Sequence, residues 1–398
     1  MITELPNTRS FEDYIVDYKY QQNTPIKIAS IDTYIIKPSP KLNTWSCIKP
    51  FLFVKLTTVD NIEGWGEAFT LSDDDVITVN CIHNYSDIIA DLDSVTPWYF
   101  HELISRDKNQ LTNMNHAAAK SSFEMALWDI FGKVTKTSLS HIIGKSVKSS
   151  VPVYANIWSD EFRSNKEVIN KAKSTIKEGY RAIKIYPLQN RNVNQAAKLI
   201  GDLRISVGDD ICILLDLACP DDPDDAIKLE PLISAFNPYW YEEPVDGNNI
   251  EQLCMIRDQS KFNIVTGESH CGIEHFSALL KAGAAQILNP DIAAVGGIID
   301  MLTIAKAAFE LDVKISPHCW NSMTVSAAVM MHLCAIIPNS DMAEIFPDYI
   351  APSNQFSDYR FKPINGMMKI LDEPGIGLTM NLEAIRKQAH RTRTTILI

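Results

Sequence analysis

Seven polar residues, Lys184, Asp216, Glu242, Glu268, Asp291, His318 and Glu344, follow one another at separations of 32, 26, 26, 23, 27 and 26 residues. Each ends a short β-branched or aromatic run: AIKIYP, ICILLDLA, YWYEEP, NIVTGE, AAQILNPD, VKISPHC and MAEIF. A period of this size is that of one strand–helix unit, and chance surface charges would not stay in phase through seven of them. Asp216, Glu242 and Glu268 end three consecutive predicted strands and so stand side by side. A single acidic strand end can be a helix N-cap or a lysine partner. Three crowded carboxylates repel one another unless a cation lies between them. Oxygen ligands alone suit Mg2+, whereas zinc favours His and Cys. Asp291 and His318 end the next two strands. A carboxylate bonded to one imidazole nitrogen fixes the tautomer and raises the basicity of the other, which makes a general base. Lys184 and Tyr186, two residues apart, share one face of their strand. A cation and a phenol aimed together could orient a carboxylate and transfer a proton.

The elements that must position these groups are legible in the pattern. From VPVYAN at 151–156 onward, such runs alternate with amphipathic stretches such as EVINKAKSTIKEGY and GIIDMLTIAKAAFELD, apolar at three- and four-residue steps. Strand–helix alternation implies parallel strands with helical crossovers. Eight such strands point to a TIM barrel, whose C-terminal rim carries the active site. Residues 27–60 read as two strands and 78–135 as helical, together an α+β domain. The Pro- and Gly-rich segment after Glu344 is too irregular for another barrel unit and is expected to pack back on that first domain. The reading is therefore a charged tail at 1–24, mobile or an oligomer contact, an α+β domain at 25–150, the barrel at 151–346 and a C-terminal segment at 347–398.

Composition sets outer limits. A net charge of -12 and a pI near 5.2 argue against a nucleic-acid partner, because phosphate binding needs a basic face. The first 24 residues carry charges throughout and do not read as a signal peptide, and there is no 18-residue apolar run, so no membrane partner and a cytoplasmic location are expected. The eight cysteines (47, 81, 212, 219, 254, 271, 319 and 334) form no CxxC pair and read as buried thiols in a reducing compartment.

The chain resembles the enolase superfamily and, within it, the mandelate racemase subgroup. The motifs that carry the resemblance are GWGEA at 64–68, MALWDIFGK at 125–133, YEEP at 241–244, GES at 267–269, Asp291 followed by Gly296-Gly297, SPH at 316–318 and PGIGL at 374–378. The resemblance covers nearly everything after residue 27. It implies a modified (β/α)7β TIM barrel with an α+β capping domain completed by the C-terminal segment, and Mg2+-assisted abstraction of the proton alpha to a carboxylate. By the same likeness Asp216, Glu242 and Glu268 would bind Mg2+, with Glu243 a near neighbour of the ligands. Asp291 and His318 would be the catalytic dyad, Lys184 the first lysine of a Lys-x-Lys pair, and Glu344 the acid that hydrogen-bonds the substrate carboxylate. A lysine at 291 would have marked the muconate-lactonising branch. Three departures stand out. Tyr186 replaces the second lysine, the usual second base. Ala218 stands where many relatives have Asn, and Asn61 where Gly is common. With the second and seventh strands nearly across the barrel, Tyr186 and His318 would address opposite faces of the substrate.

Dehydration of a sugar acid to a 2-keto-3-deoxy acid is the expected outcome. Epimerisation (or racemisation) and cycloisomerisation remain open, as does a catalytically silent metal-binding homologue. Specificity is expected from residues 39–49 and 156–158, and a homo-oligomer from the habit of relatives.

Overall fold

The computed structural model describes residues 10–17, 24–37, 50–71, 73–106, 113–159, 164–319 and 324–398; the stretch 39–49 lies outside them. The two N-terminal strands form as their β-branched and aromatic residues demand. β1 (Ile28–Ile36) pairs antiparallel with β2 (Phe51–Thr58), Tyr34 opposite Phe53 and Ile31 opposite Leu56. GWGEA, met in the sequence only as a motif, is a third strand, β3 (Glu63–Ala68), paired with β2. Its glycines lower strand propensity but admit a helix. After α1 (Asp75–Ile89) and α2 (Pro97–Ile104) comes α3 (Met114–Thr135), whose residues 117–132 are all buried. A Cβ on Gly66 would lie 1.8 Å from the carbonyl oxygen of Ser122 in α3. Gly66→Ala should therefore force α3 off the sheet and cost about 3 kcal/mol, read as a lower midpoint in thermal unfolding. An unchanged midpoint would mean that the contact is slack.

The short α4 (Leu139–Ile143) leads into the barrel strands β4 (Ser150–Asn156), β5 (Ala182–Ile185), β6 (Cys212–Asp216), β7 (Trp240–Glu242), β8 (Asn263–Thr266), β9 (Ile287–Leu288), β10 (Lys314–Ile315) and β11 (Ala343–Ile345). Neighbours pair in parallel from β4 through to β10, and β11 pairs with β4. An isolated bridge between Ile315 and Ser340 joins β10 to the segment entering β11 and closes the ring. Inside, Tyr154, Leu214, Trp240, Val265 and Ile287 form a separate apolar core, a packed plug beneath the rim. The crossovers are α5 (Asn165–Lys177), α6 (Val193–Val207), α7 (Asp224–Ile233), α8 (Ile250–Gln259), α9 (Ile273–Ala282), α10 (Ile298–Phe309) and α11 (Val325–Ile336).

Beyond β11 the chain runs through α12 (Pro347–Ser353) to β12 (Met367–Lys369), antiparallel to β4, then through α13 (Leu382–Gln388) to β13 (Arg391–Ile396). β13 pairs antiparallel with β1, Thr394 opposite Asp32, and so enters the N-terminal sheet. Three sequence motifs meet in one knot here. Asp129 of α3 accepts from the backbone of Trp65 in GWGEA and of Ile376 in PGIGL, each at 3.0 Å. Glu67 accepts from the Ser326 backbone at 3.0 Å, tying β3 to the first turn of α11.

Residues 10–17 of the charged tail are anchored on this chain. Phe11 packs edge-on against Phe309 at 5.9 Å, and Val16 donates to the carbonyl of Ile143 at 2.7 Å. The cysteines differ from the expectation of buried thiols: Cys271, Cys319 and Cys334 are buried, but Cys219 is exposed. Among the described residues no helix is long and apolar enough to cross a membrane.

Candidate active site

Asp216 and Glu242 are register partners at the ends of β6 and β7, and Glu268 lies two residues past β8. One oxygen from each of the three lies within 4.8 Å of the others. Lys184 of β5 is wholly buried among carboxylates, its Nζ 2.6 Å from Glu242 Oε1, 2.9 Å from Glu344 Oε1 and 3.3 Å from Asp216 Oδ2. Burial pushes the Asp216 carboxyl up to about 6 against the pull of Lys184, and Glu268 adds to the rise. Glu242 is raised well above the usual carboxylate range, first by burial, with Asp216 and Glu268 contributing. One ammonium thus balances a crowd of buried acids. Glu242 Oε2 is buried without a hydrogen-bond partner among the described residues. An all-oxygen trio with an orphaned, fully buried lone pair is the donor set of a hard cation, so the residues fit a metal ion.

β9 and β10 end at Leu288 and Ile315, yet Asp291 and His318 form a further parallel bridge that sets their side chains together. His318 Nδ1 lies 2.9 Å from Asp291 Oδ2. Nε2 faces Glu268 Oε2 at 3.5 Å and Glu344 Oε2 at 3.7 Å. With Asp291 accepting at Nδ1, the neutral ring keeps its lone pair on Nε2. Burial alone would lower the imidazole pKa; the carboxylates of Glu268, Glu344 and Asp291 override it and push it up to about 9, and a cation held by Glu268 would offset the first of these and so free the Nε2 lone pair.

Glu344 sits between the dyad and the lysine. Its Oε1 accepts from Asn156 Nδ2 and from Lys184, both at 2.9 Å, and its Oε2 accepts from the Cys319 backbone at 2.8 Å. Although burial opposes it, Lys184, His318 and that backbone N–H hold its carboxyl below the ordinary value, so it is an acceptor on both oxygens. Tyr186 follows β5 directly; its hydroxyl accepts from Asn156 Nδ2 at 3.0 Å. Burial first, then Asp216, keeps the phenol well above its usual pKa. Round the closed ring, β4 and β11 separate β5 from β10, so Asn156 and Glu344 link Tyr186 to His318.

All eight residues singled out for chemistry therefore surround one place. Asn156, Tyr186, Asp216, Glu268 and His318 line a cavity of about 630 Å³ there, with Trp158 edge-on to Tyr186 at 6.3 Å. Charge patterning missed Asn289, whose Nδ2 donates to Glu242 at 3.1 Å and to Glu268 at 3.4 Å. The only available signal was its position at a strand end in step with the acids. Near the acids the backbone is strained: Ala218, Cys219 and Glu243 have φ of 52°, 51° and 42°. Ala218 takes the left-handed region without the local hydrogen bonding an Asn side chain would bring. Asn61 at φ 61° accounts for the glycine common at that turn.

Comparison with known proteins agrees with this geometry. Residues 30–144 match the mandelate racemase / muconate lactonizing enzyme N-terminal domain, and residues 167–385 match the enolase C-terminal domain-like family. A D-gluconate/D-galactonate dehydratase of Picrophilus torridus is 27% identical over 382 residues, 90% of this chain and 93% of its own. A D-galactarolactone cycloisomerase of Agrobacterium fabrum is 26% identical over 345 residues, 84% of this chain and 90% of its own. Among solved structures, an enolase from environmental shotgun sequencing of the Sargasso Sea superposes with a TM-score of 0.89 at 35% identity, over 94% of this chain and 100% of that one. With both domain families matched in order, over most of its length, the chain belongs to the enolase superfamily and, within it, to the mandelate racemase / muconate lactonizing enzyme family.

Proposed function

We propose that the protein is a Mg2+-dependent sugar acid dehydratase that begins by removing the proton alpha to the substrate carboxylate. The observation that carries this reading is the placement of His318 Nε2, backed by Asp291, 3.5 Å from Glu268 of the acidic trio. Base and carboxylate-binding charge thus face one small acid in one cavity. Asp216, Glu242 and Glu268 would hold Mg2+, which when bound supplies positive charge to the substrate's carboxylate oxygens. Lys184 would donate to the same carboxylate as negative charge builds on it. His318 takes the C2 proton on Nε2, and Asp291 holds the resulting imidazolium. The C3–O bond then breaks as the C2–C3 double bond forms, the departing hydroxyl takes a proton from Tyr186 or from the His318 imidazolium and leaves as water, and the enol settles as a 2-keto-3-deoxy acid. Glu344, an acceptor on both oxygens, positions Lys184 and Asn156; to hydrogen-bond a substrate carboxylate it would need a proton of its own.

Tyr186 decides between dehydration and racemisation. Racemisation needs a proton acceptor on each face of C2, and a neutral phenol is a poor base. A phenol that stays protonated can still donate to a departing hydroxyl. Tyr186→Phe should therefore slow keto-acid formation about 10-fold or more, while exchange of the C2 proton with solvent deuterium falls much less. Equal loss of both would place Tyr186 in proton abstraction or binding, and rapid interconversion of two epimers without keto acid would exclude dehydration. The cycloisomerase relative motivates a second reading, in which a ring oxygen is the leaving group. Screening acid sugars and their lactones with Mg2+ and weighing the keto acid formed separates the two, because dehydration loses water whereas ring opening leaves the mass of the substrate unchanged.

A further inference from the structure

The cavity is lined by a cation that the proposed chemistry does not use. Among the described lining residues Arg191 is the one Lys or Arg, facing a wall that includes Asp221, Asp222 and Asp225. Asp222 and Asp225 have their own partner, Lys228, at 2.6 Å and 3.5 Å. No ion pair to Arg191 occurs among the described residues; its Nη1 donates to the backbone carbonyl of Gln189 at 2.9 Å. A guanidinium carries five N–H donors in a planar fork, so most of its capacity is left for something else. Burial lowers its pKa, and no neighbouring carboxylate acts in the opposite sense.

Arg191 is also held in place. It closes the loop between Tyr186 and α6, where Gln189 N donates to Tyr186 O at 3.4 Å and Arg191 N to Leu188 O at 3.1 Å. Asn190 sits at φ 55°, a conformation that fixes the turn. The loop starts at a residue of the reacting centre and ends five residues later at this cation. A second cavity of about 530 Å³, whose lining includes Gln189, Asn190, Arg191 and Lys198, shares Gln189 and Arg191 with the first, and its Lys198 is paired with Asp202 at 2.9 Å. Arg191 therefore lines the same cavity as Asp216, Glu268 and His318, the space a sugar acid would occupy.

We propose that Arg191 binds a second carboxylate at the distal end of the substrate, so that the acid sugar is an aldarate, carboxylated at both ends, rather than an aldonate. The inference rests on the reaction proposed above, which puts the first carboxylate at the acidic trio and Lys184. A planar fork matches a carboxylate bidentately, and a partly desolvated cation without a partner gains most from an anion. In a chain of net charge -12 with an acidic cavity wall, a terminal carboxylate would otherwise be repelled. A terminal hydroxymethyl group would offer the guanidinium no charge.

The test measures binding by calorimetry in the presence of Mg2+, using galactarate and gluconate as probes in a His318→Asn background that holds substrate without turnover. Galactarate should bind at least about tenfold more tightly than gluconate, and adding Arg191→Gln should collapse that ratio toward one. Arg191→Lys, which keeps the charge but loses the fork, should fall between them. A ratio near one in the His318→Asn protein, or a preference that survives Arg191→Gln, would overturn the inference while leaving the proposed reaction intact. Metal-dependent binding of neither acid would overturn the sugar acid reading and this inference with it. Solvent-deuterium exchange of gluconate by wild-type protein reports on the reaction alone.

Discussion

His318→Asn should abolish exchange of the substrate's C2 proton with solvent deuterium, a loss of at least about 100- to 10,000-fold. Asparagine keeps much of the size and can still donate to Asp291, which lies 2.9 Å from Nδ1, but it has no basic lone pair to present to the cavity. Asp291→Asn should give a smaller loss with the imidazole still present, because the Nδ1 partner that fixes the tautomer and steadies the imidazolium becomes an amide. Exchange measured by mass spectrometry or NMR separates this step from everything that follows it. Persistence of exchange at the wild-type rate in His318→Asn would place the base elsewhere. Lys184 would be next in line, yet it is poorly suited. Burial alone would favour its neutral amine, but Glu242 and Glu344 hold it charged well above its usual pKa. An ammonium within 3.3 Å of three carboxylates is a donor, not an acceptor.

The barrel and its charged rim were legible because two periodicities coincide, helical and strand patterns alternating while polar residues recur about every 26 positions. The charges had to be visible, since a buried Lys, Asp or Glu is tolerated only among partners, and Lys184, Glu242 and Glu344 are all fully buried together. What escaped the sequence did so for physical reasons. β3 escaped because two of its six residues are glycines, kept for the approach of α3 rather than for strand propensity. β13, RTRTTI, is exposed along nearly its whole length, so no apolar face announces it, and its partner β1 lies more than 350 residues away. β9 and β10 span two residues each, so Asp291 and His318 lie beyond their strands and meet through a bridge of their own. Asn289 is a neutral amide that no charge pattern marks, although it bonds to Glu242 and Glu268. The role of Arg191 was invisible in the same way, because it rests on the cavity that the residue lines and on the absence of an ion pair to it among the described residues.

Removing the metal should remove the activity altogether, and the acidic trio offers readouts that do not depend on turnover. Protein dialysed against a chelator should lose keto-acid formation and regain it with Mg2+. Glu242→Gln should weaken Mg2+ binding by more than about a hundredfold, measured by calorimetry without substrate. Glu242 is the most telling of the three proposed ligands. It is fully buried, its Oε2 has no other hydrogen-bond partner among the described residues, and its Oε1 is already taken by Lys184 at 2.6 Å and Asn289 at 3.1 Å. An amide there keeps the shape but presents only a neutral oxygen to the ion. Binding also bears on folding. A ligand held by the native state alone stabilises it by RT ln(1 + [L]/Kd), about 2.7 kcal/mol at a hundred times Kd. Mg2+ should therefore raise the thermal midpoint of the wild-type protein and leave that of Glu242→Gln almost unmoved at the same concentration. Calcium or manganese in place of magnesium tests the oxygen-donor character of the site. Full activity after exhaustive chelation, or Mg2+ affinity and stabilisation unchanged by Glu242→Gln, would mean that the three carboxylates are held together for another purpose.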